Sequence, residues 1–370
     1  MHEHVVYIAM LLLLGTLSTA LAHIMRVSNI FFLLLTGMVL GSLGLVIFPD
    51  RAVETIALLA LILVVFDATS KLRASEFRQY GGAALKLALT YFVFNLLFVT
   101  AFAMLLFGQQ PLVAMFFATL MYGIDPGACL AIFGHKRTKA VETLEIESVL
   151  NTPLTLIIPL TMLRLITYAG ASVAGAVLMQ LGVALGVGAL SGCAAVYILK
   201  KIESKELLHL IVMSSAVITF ALSESLGGSG LLAVTLFGLV FGNSRLHHKI
   251  ELKKFATIFT HTLTILVFIL IGTTMQIDPS YIFRGTILFL VYLCARFAAV
   301  YISGFGGRDA LLVSFSVPKG IDVAVVLLIL MSSSIAGMGE VVNLSMLFAL
   351  YSIVLTTAVS ALYRPRAAPS

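Results

Sequence analysis

The sequence predicts an all-α polytopic membrane protein with about 13 transmembrane helices, and three observations lead to this fold class. Hydrophobic residues make up 60% of the 370 residues. Charged residues make up only 11%, against about 25% in a typical soluble chain. Apolar runs of about 20 residues, the length that crosses a bilayer core, follow one another along almost the whole chain. Soluble, disordered and nucleic-acid-binding proteins need more charge than this chain carries.

The predicted spans leave room for short connections only. In chain order they cover residues 5–24, 28–48, 53–70, 82–107, 111–134, 143–168, 172–199, 206–223, 228–243, 256–276, 280–303, 308–333 and 342–363. We therefore expect residues 1–370 to form a single transmembrane domain without a soluble regulatory domain.

The distribution of Lys and Arg tests this count and sets the orientation. Odd-numbered connections and the C-terminal tail carry most of these residues, whereas the even-numbered side has little more than Arg51, Arg164 and Arg284. Because Lys and Arg are enriched in cytoplasmic loops, the pattern predicts an N-terminus outside and a C-terminus in the cytoplasm. A prokaryotic plasma membrane is the expected location. The net charge of +6 fits this bias, so we expect membrane lipid as a partner and no nucleic acid.

Predicted helices 5 and 12 are each interrupted by a proline and a charge. The interruptions read YGIDPG at 122–127 and SVPKGID at 316–322. Each is the fifth helix of a six-helix half: repeat one covers 1–168, a linker helix 169–201, and repeat two 202–370. Because a single linker helix separates the two halves, the second half has the opposite orientation in the membrane. This is the pattern of secondary transporters. The sequence therefore predicts two inverted repeats whose broken helices cross at mid-membrane.

Ionisable residues inside predicted spans are costly and mark candidate functional positions. Estimated depths place four of them at a similar level, between the midplane and the cytoplasmic side. Helix 6 adds a dense polar stretch with Ser148, Asn151 and Thr152. The alternatives are polar contacts between helices and, beside the prolines, compensation of half-helix charges. The ionisable residues are Asp67, Asp125, Glu147, Arg296, Lys319 and Asp322.

Six short motifs on these helices occur in the same order as in a known protein family. They are LVVFD at 63–67, IDP at 124–126, ESVLN at 147–151, SESLGGSG at 223–230, Arg296 and PKG at 318–320. Together they resemble the monovalent cation:proton antiporter superfamily, the sodium/proton exchangers, over nearly the whole chain. The resemblance implies a homodimer that exchanges Na⁺ or K⁺ for protons by alternating access. It also implies a core of about residues 53–134 and 256–333.

The resemblance further implies roles for individual residues. Asp125, Asp67 and Ser148 would bind the cation, with Asn151 and Thr152 completing the cation- and proton-binding set. Glu147 and Arg296 would form a structural ion pair. Lys319 and Asp322 are candidates for compensating the charge of the broken helices. The transported cation, at Asp125 and Asp67, is the only metal expected.

One position departs from the family pattern. An aspartate should directly follow Asn151, and this chain has Thr152. Threonine can coordinate a cation but cannot exchange a proton, so another acid must titrate if exchange occurs. An alternative is the same fold acting as an uncoupled cation pathway or moving a different solute. A membrane enzyme or a structural protein is a third possibility, but no Ser/His/Asp or metal constellation favours an enzyme, and no cofactor is expected.

Overall fold

The structure of the chain, a computed structural model, describes most of its residues. The described residues are 2–25, 29–44, 50–71, 74–125, 138–167, 173–202, 204–245, 249–274, 278–320, 323–324, 326–327, 330 and 338–362. Within them the chain forms thirteen main helices and no strand. The all-helical prediction is therefore confirmed.

The helices, numbered in chain order, follow the predicted spans except at the ends of α5 and α12. The first six are α1 (His2–Met25), α2 (Asn29–Ser42), α3 (Asp50–Lys71), α4, α5 (Pro111–Leu120) and α6 (Lys139–Thr167). Helix α4 has three continuous parts: Ala74–Phe94, a π-helical turn at Asn95–Val99, and Thr100–Phe107. The others are α7 (Val173–Leu199), α8 (Lys205–Ser225), α9 (Gly230–Asn243), α10 (Lys249–Thr274), α11 (Ser280–Ile302), α12 (Gly307–Phe315) and α13 (Met338–Leu362).

The helices have the length and surface of an integral membrane protein. Six described helices are long and apolar enough to cross a membrane, and four more are apolar but shorter. Large apolar side chains cover the outer surface, which in water would be a costly exposed patch. Among them are Leu105, Leu190, Phe283 and Tyr301, each at least 70% exposed. A lipid environment accounts for both features.

The helices pack as two bundles. Helices α1–α3 pack with α7–α10, while α4–α6 pack with α11–α13. This grouping differs from the expected core of residues 53–134 and 256–333, because α3 and α10 pack mainly against each other and against α2 and α9.

Glycines explain this packing of α3 and α10. Gly37 and Gly41 bring α2 against the backbone of α10. Gly242 brings α9 against the backbone of α3, and Gly238 lies against the Thr69 side chain on the same helix. A Cβ atom at any of these four positions would overlap the facing helix. The Gly-x-x-x-Gly segments therefore serve close helix packing, as such segments commonly do in membranes.

Helices α5 and α12 both stop short of their predicted ends. Helix α5 ends at Leu120 and is followed by buried, non-helical chain up to Asp125. Helix α12 ends at Phe315, and residues 316–320 are likewise buried and non-helical. Helical structure is present again at 323–324, 326–327 and 330, whereas 126–137 lie outside the described residues. We call 121–125 and 316–320 the two non-helical stretches.

Candidate functional site

The two non-helical stretches touch each other at Asp125. The backbone N–H of Asp125 donates a hydrogen bond to the Pro318 carbonyl at 3.0 Å. The side chain of Asp125, 5% exposed, lies against Gly320, where a Cβ atom would overlap the carboxyl group. The absence of a side chain at Gly320 thus leaves the space in which the Asp125 carboxylate lies.

A buried ammonium group binds the first non-helical stretch where it follows α5. Lys319, 1% exposed, donates from Nζ to the carbonyls of Met121 at 2.5 Å and Gly123 at 2.7 Å. It also donates to the Tyr292 hydroxyl at 2.8 Å. Because the C-terminal end of a helix carries partial negative charge, this cation is favourably placed at the end of α5.

Helix α13 supports the second non-helical stretch from the other side. The N–H of Val317 donates to Thr356 Oγ1 at 3.1 Å, and the N–H of Lys319 donates to Ser352 Oγ at 3.2 Å. Buried backbone N–H groups without a partner are costly. The two hydroxyl groups therefore stabilise an unwound backbone in the interior of the protein.

In both α5 and α12, a carbonyl near the end of the helix accepts a hydrogen bond from a side chain of the preceding helix. Asn95, at the start of the π turn in α4, donates from Nδ2 to the Ala118 carbonyl at 2.5 Å. Arg296 in α11 donates from Nε and a terminal nitrogen to the Val313 carbonyl, both at 3.4 Å. Each carbonyl lies two residues before the end of its helix. The two broken regions thus have similar supports.

Glu147 and Arg296 form a buried ion pair. Both side chains are fully buried. The guanidinium donates to both carboxylate oxygens, to Oε1 in one contact and to Oε2 at 2.7 Å in the other. The Arg296 guanidinium also lies 4.6 Å from the centroid of the Tyr91 ring. A bidentate pair of this kind fixes the geometry of both partners.

Asn151 links this ion pair to the first non-helical stretch. Its Nδ2 donates to Glu147 Oε1 at 3.5 Å, and its Oδ1 lies 2.6 Å from the Tyr122 hydroxyl. The same hydroxyl lies 2.8 Å from the Ala88 carbonyl. A tyrosine hydroxyl has one proton, so it donates to one of the two acceptors at a time. When that proton is donated to Asn151, both ends of the Asn151 amide are hydrogen-bonded within the protein.

Asp67 lies in the other bundle. Its Oδ2 accepts a hydrogen bond from Lys71 Nζ at 2.5 Å, and its Oδ1 accepts one from Thr257 Oγ1 at 2.9 Å. The residue is 8% exposed. The structure therefore does not bring Asp67 into hydrogen-bond contact with Asp125.

The remaining candidates are described only in part. The Ser148 hydroxyl is buried and donates to the Glu145 carbonyl at 2.7 Å. Position 152 is helical, but the Thr152 side chain lies outside the described residues, as does Asp322.

Sequence reasoning missed several residues that support the site. Three are tyrosines with ring centroids 5.4 and 5.9 Å apart in successive pairs, Tyr122 to Tyr91 and Tyr91 to Tyr292. Asn95 is a second omission, although an amide in an otherwise apolar run was a visible signal. Ser352 and Thr356 carried no such signal, because hydroxyl groups are common in apolar helices.

The arrangement suits a site for a small cation better than one for covalent chemistry. A buried carboxylate, Asp125, lies where two unwound backbones meet, and unwound backbone can supply carbonyl ligands. Among the described residues no group of three or more His, Cys, Asp or Glu side chains could hold a resident metal ion.

Comparison with known proteins identifies the family. The model of the transmembrane region of sodium/hydrogen exchangers matches residues 9–363. The K⁺/H⁺ antiporter NhaP2 of Shewanella oneidensis is 24% identical over 332 residues, which are 85% of this chain and 58% of that protein. The Na⁺/H⁺ antiporter NhaH of Halobacillus dabanensis is 28% identical, with 95% of each chain covered. The chain thus spans a little over half the length of the first of these relatives.

A solved structure has the same fold. The sodium proton antiporter MjNhaP1 of Methanocaldococcus jannaschii, determined at pH 8, matches with a TM-score of 0.84 and 20% sequence identity. The match covers 96% of this chain and 98% of the antiporter chain. With the family match over residues 9–363, the prediction from the motifs is confirmed: the chain is an integral membrane protein and belongs to the sodium/hydrogen exchanger family.

Proposed function

We propose that the chain exchanges a monovalent cation, Na⁺ or K⁺, for protons by alternating access. The observation that carries the proposal is the burial of Asp125 where the two non-helical stretches touch. A carboxylate in this position can hold either a proton or a cation, and competition between the two couples their movements. The relatives named as K⁺/H⁺ and Na⁺/H⁺ antiporters support this class of activity.

The other candidate residues take supporting roles in the proposal. Asp125 carries the proton, and Ser148, Asn151 and Thr152 contribute to the cation path on α6. Asp67 provides a second acid on the other bundle, away from Asp125.

Four charged residues stabilise the site without binding the transported ion. Lys319 compensates the negative end of α5, an interpretation that its bonds to Met121 and Gly123 support. Asp322 is proposed to compensate the charge of the other broken helix, the one that includes α12. The Glu147–Arg296 pair is structural, because its bidentate geometry leaves neither group open to an ion.

Inverted repeats are part of the proposal, and reciprocal contacts support them. Aligning α1–α6 with α8–α13 makes the packing of α2 on α10 equivalent to that of α9 on α3. The same alignment relates the bond from Asn95 to the end of α5 with the bond from Arg296 to the end of α12. The repeats are 1–168 and 202–370, with 169–201 as the linker.

The bundle of α4–α6 and α11–α13 is the better candidate for the moving core, since it contains both non-helical stretches and the ion pair. The other bundle then serves as the scaffold and forms a homodimer in a prokaryotic plasma membrane, with the C-terminus in the cytoplasm. Lipid acyl chains cover its exposed apolar face.

A second candidate function keeps the fold and removes the coupling. Thr152 stands where the family pattern has an aspartate, and without that acid the chain could conduct a cation, or move another solute, without proton exchange. The Thr152→Asp variant tests this alternative. Proton coupling gained by the variant and absent from the parent protein would favour it.

The experiment for the main proposal uses proteoliposomes that contain a pH-sensitive dye. Addition of Na⁺ or K⁺ to preacidified vesicles should raise the internal pH with the parent protein, and Asp125→Asn should abolish the change. Asp278→Asn is the matched control, because Asp278 lies in the connection before α11 and is exposed to solvent. Parent-like exchange by Asp125→Asn would contradict the assignment of the carrier.

A further inference from the structure

Asp67, Lys71 and Thr257 form a cluster that the proposed exchange at Asp125 does not use. The Asp67 carboxylate is nearly buried between α3 and α10, and Thr257 Oγ1 donates to it from α10 at 2.9 Å. Lys71 is one helical turn further along α3, and its side chain is 35% exposed. The cluster therefore joins an interior carboxylate to the aqueous surface at the end of α3.

The Lys71 ammonium is in a position that a free monovalent cation could take. It lies 2.5 Å from Asp67 Oδ2 and carries one positive charge. The chain of α3 ties it to this carboxylate, so its local concentration is high and fixed. A cation bound by the Asp67 carboxylate would also meet the hydroxyl oxygen of Thr257. This hydroxyl can rotate, so it can accept or donate.

We propose that Lys71 is a tethered competitor of the transported cation at Asp67. When the ammonium swings out, Asp67 becomes an entry site that accepts Na⁺ or K⁺ from the side on which α3 ends. When it swings back, it occupies the carboxylate and releases the cation. This inference rests on the proposed cation exchange and adds a residue that sets the apparent affinity at one membrane face.

An ordinary surface salt bridge predicts a different outcome. Exposed ion pairs contribute little to stability. Removing Lys71 would then leave transport unchanged. If the ammonium competes with the cation, removing it must raise the affinity of the carboxylate for cations, because the carboxylate then keeps only the hydrogen bond from Thr257 among the described residues.

The test is the dependence of exchange on the cation concentration at the face where α3 ends, in proteoliposomes of known orientation. Lys71→Met should lower the apparent KM by about two- to fivefold, the upper part of the range of an exposed ion pair. Lys71→Arg keeps the charge and should retain the parental KM. Lys201→Met is the matched control, since Lys201 is an exposed lysine that lies 4.4 Å from the Tyr197 ring.

A binding measurement separates failure of this inference from failure of the proposed function. Ligands that bind the folded state raise the melting temperature, so Na⁺ or K⁺ should stabilise Lys71→Met in detergent at lower concentrations than the parent. An unchanged or higher KM and an unchanged melting response would overturn the role of Lys71, with parental exchange intact. Loss of exchange in folded Lys71→Met would also overturn it. Lys71→Gln provides a second neutral variant if Lys71→Met does not fold.

Discussion

The buried ion pair allows a quantitative prediction about stability. Arg296→Met leaves the Glu147 carboxylate fully buried and without its cation. Breaking one partner of a buried pair costs about 3–5 kcal/mol, whereas replacing both partners by apolar residues is often neutral. We therefore expect Arg296→Met to lower the free energy of unfolding by about 3–5 kcal/mol, and Glu147→Met/Arg296→Met to recover most of that loss.

The assay is equilibrium unfolding in mixed micelles. The chain contains no tryptophan, so loss of helix is followed by circular dichroism. Arg284→Met is the matched control, because Arg284 is exposed on the same helix, and surface substitutions change stability by about 0.5 kcal/mol or less. A loss below about 1 kcal/mol for Arg296→Met would contradict the desolvated bidentate pair. A double variant no more stable than Arg296→Met would contradict the explanation that the loss comes from the unpaired Glu147 carboxylate.

Three further predictions concern the non-helical stretches and the end of α5. Gly320→Ala should cost about 1–3 kcal/mol through overpacking against Asp125, and much less in an Asp125→Gly background, as measured by the same unfolding assay. Asn95→Leu should cost about 1–3 kcal/mol because a buried carbonyl at the end of α5 loses its donor, whereas Asn243→Leu at an exposed site should be near neutral. Lys319→Met should abolish exchange in proteoliposomes while the protein still reaches the membrane, since α5 loses the cation at its end; parent-like rates would count against that role.

Much of the fold could be predicted because it depends on local sequence. The length of apolar runs determined the helix count, and the proline and glycine positions indicated where α5 and α12 would stop. Glu147 and Arg296 could be proposed as partners only through resemblance to a family. No periodicity shows that residues 149 positions apart will meet.

The grouping of helices could not be predicted in the same way. Whether α3 joins α5 or α9 depends on how closely two backbones can approach, and Gly238 and Gly242 determine that distance in three dimensions. The partners of Asp67 follow from this packing, because it turns the carboxylate towards α10. The tyrosines around the ion pair were also hidden, since aromatic residues in apolar helices usually indicate only core packing.

The most direct test of coupled exchange at Asp125 is uptake of radioactive ²²Na⁺ and ⁸⁶Rb⁺ into proteoliposomes, driven only by an outward proton gradient. We predict accumulation of at least one of these ions by the parent protein, loss of accumulation when a protonophore and a K⁺ ionophore collapse the gradient, and none with Asp125→Asn. Uptake that does not depend on the proton gradient, or equal uptake by Asp125→Asn, would contradict coupled exchange at Asp125.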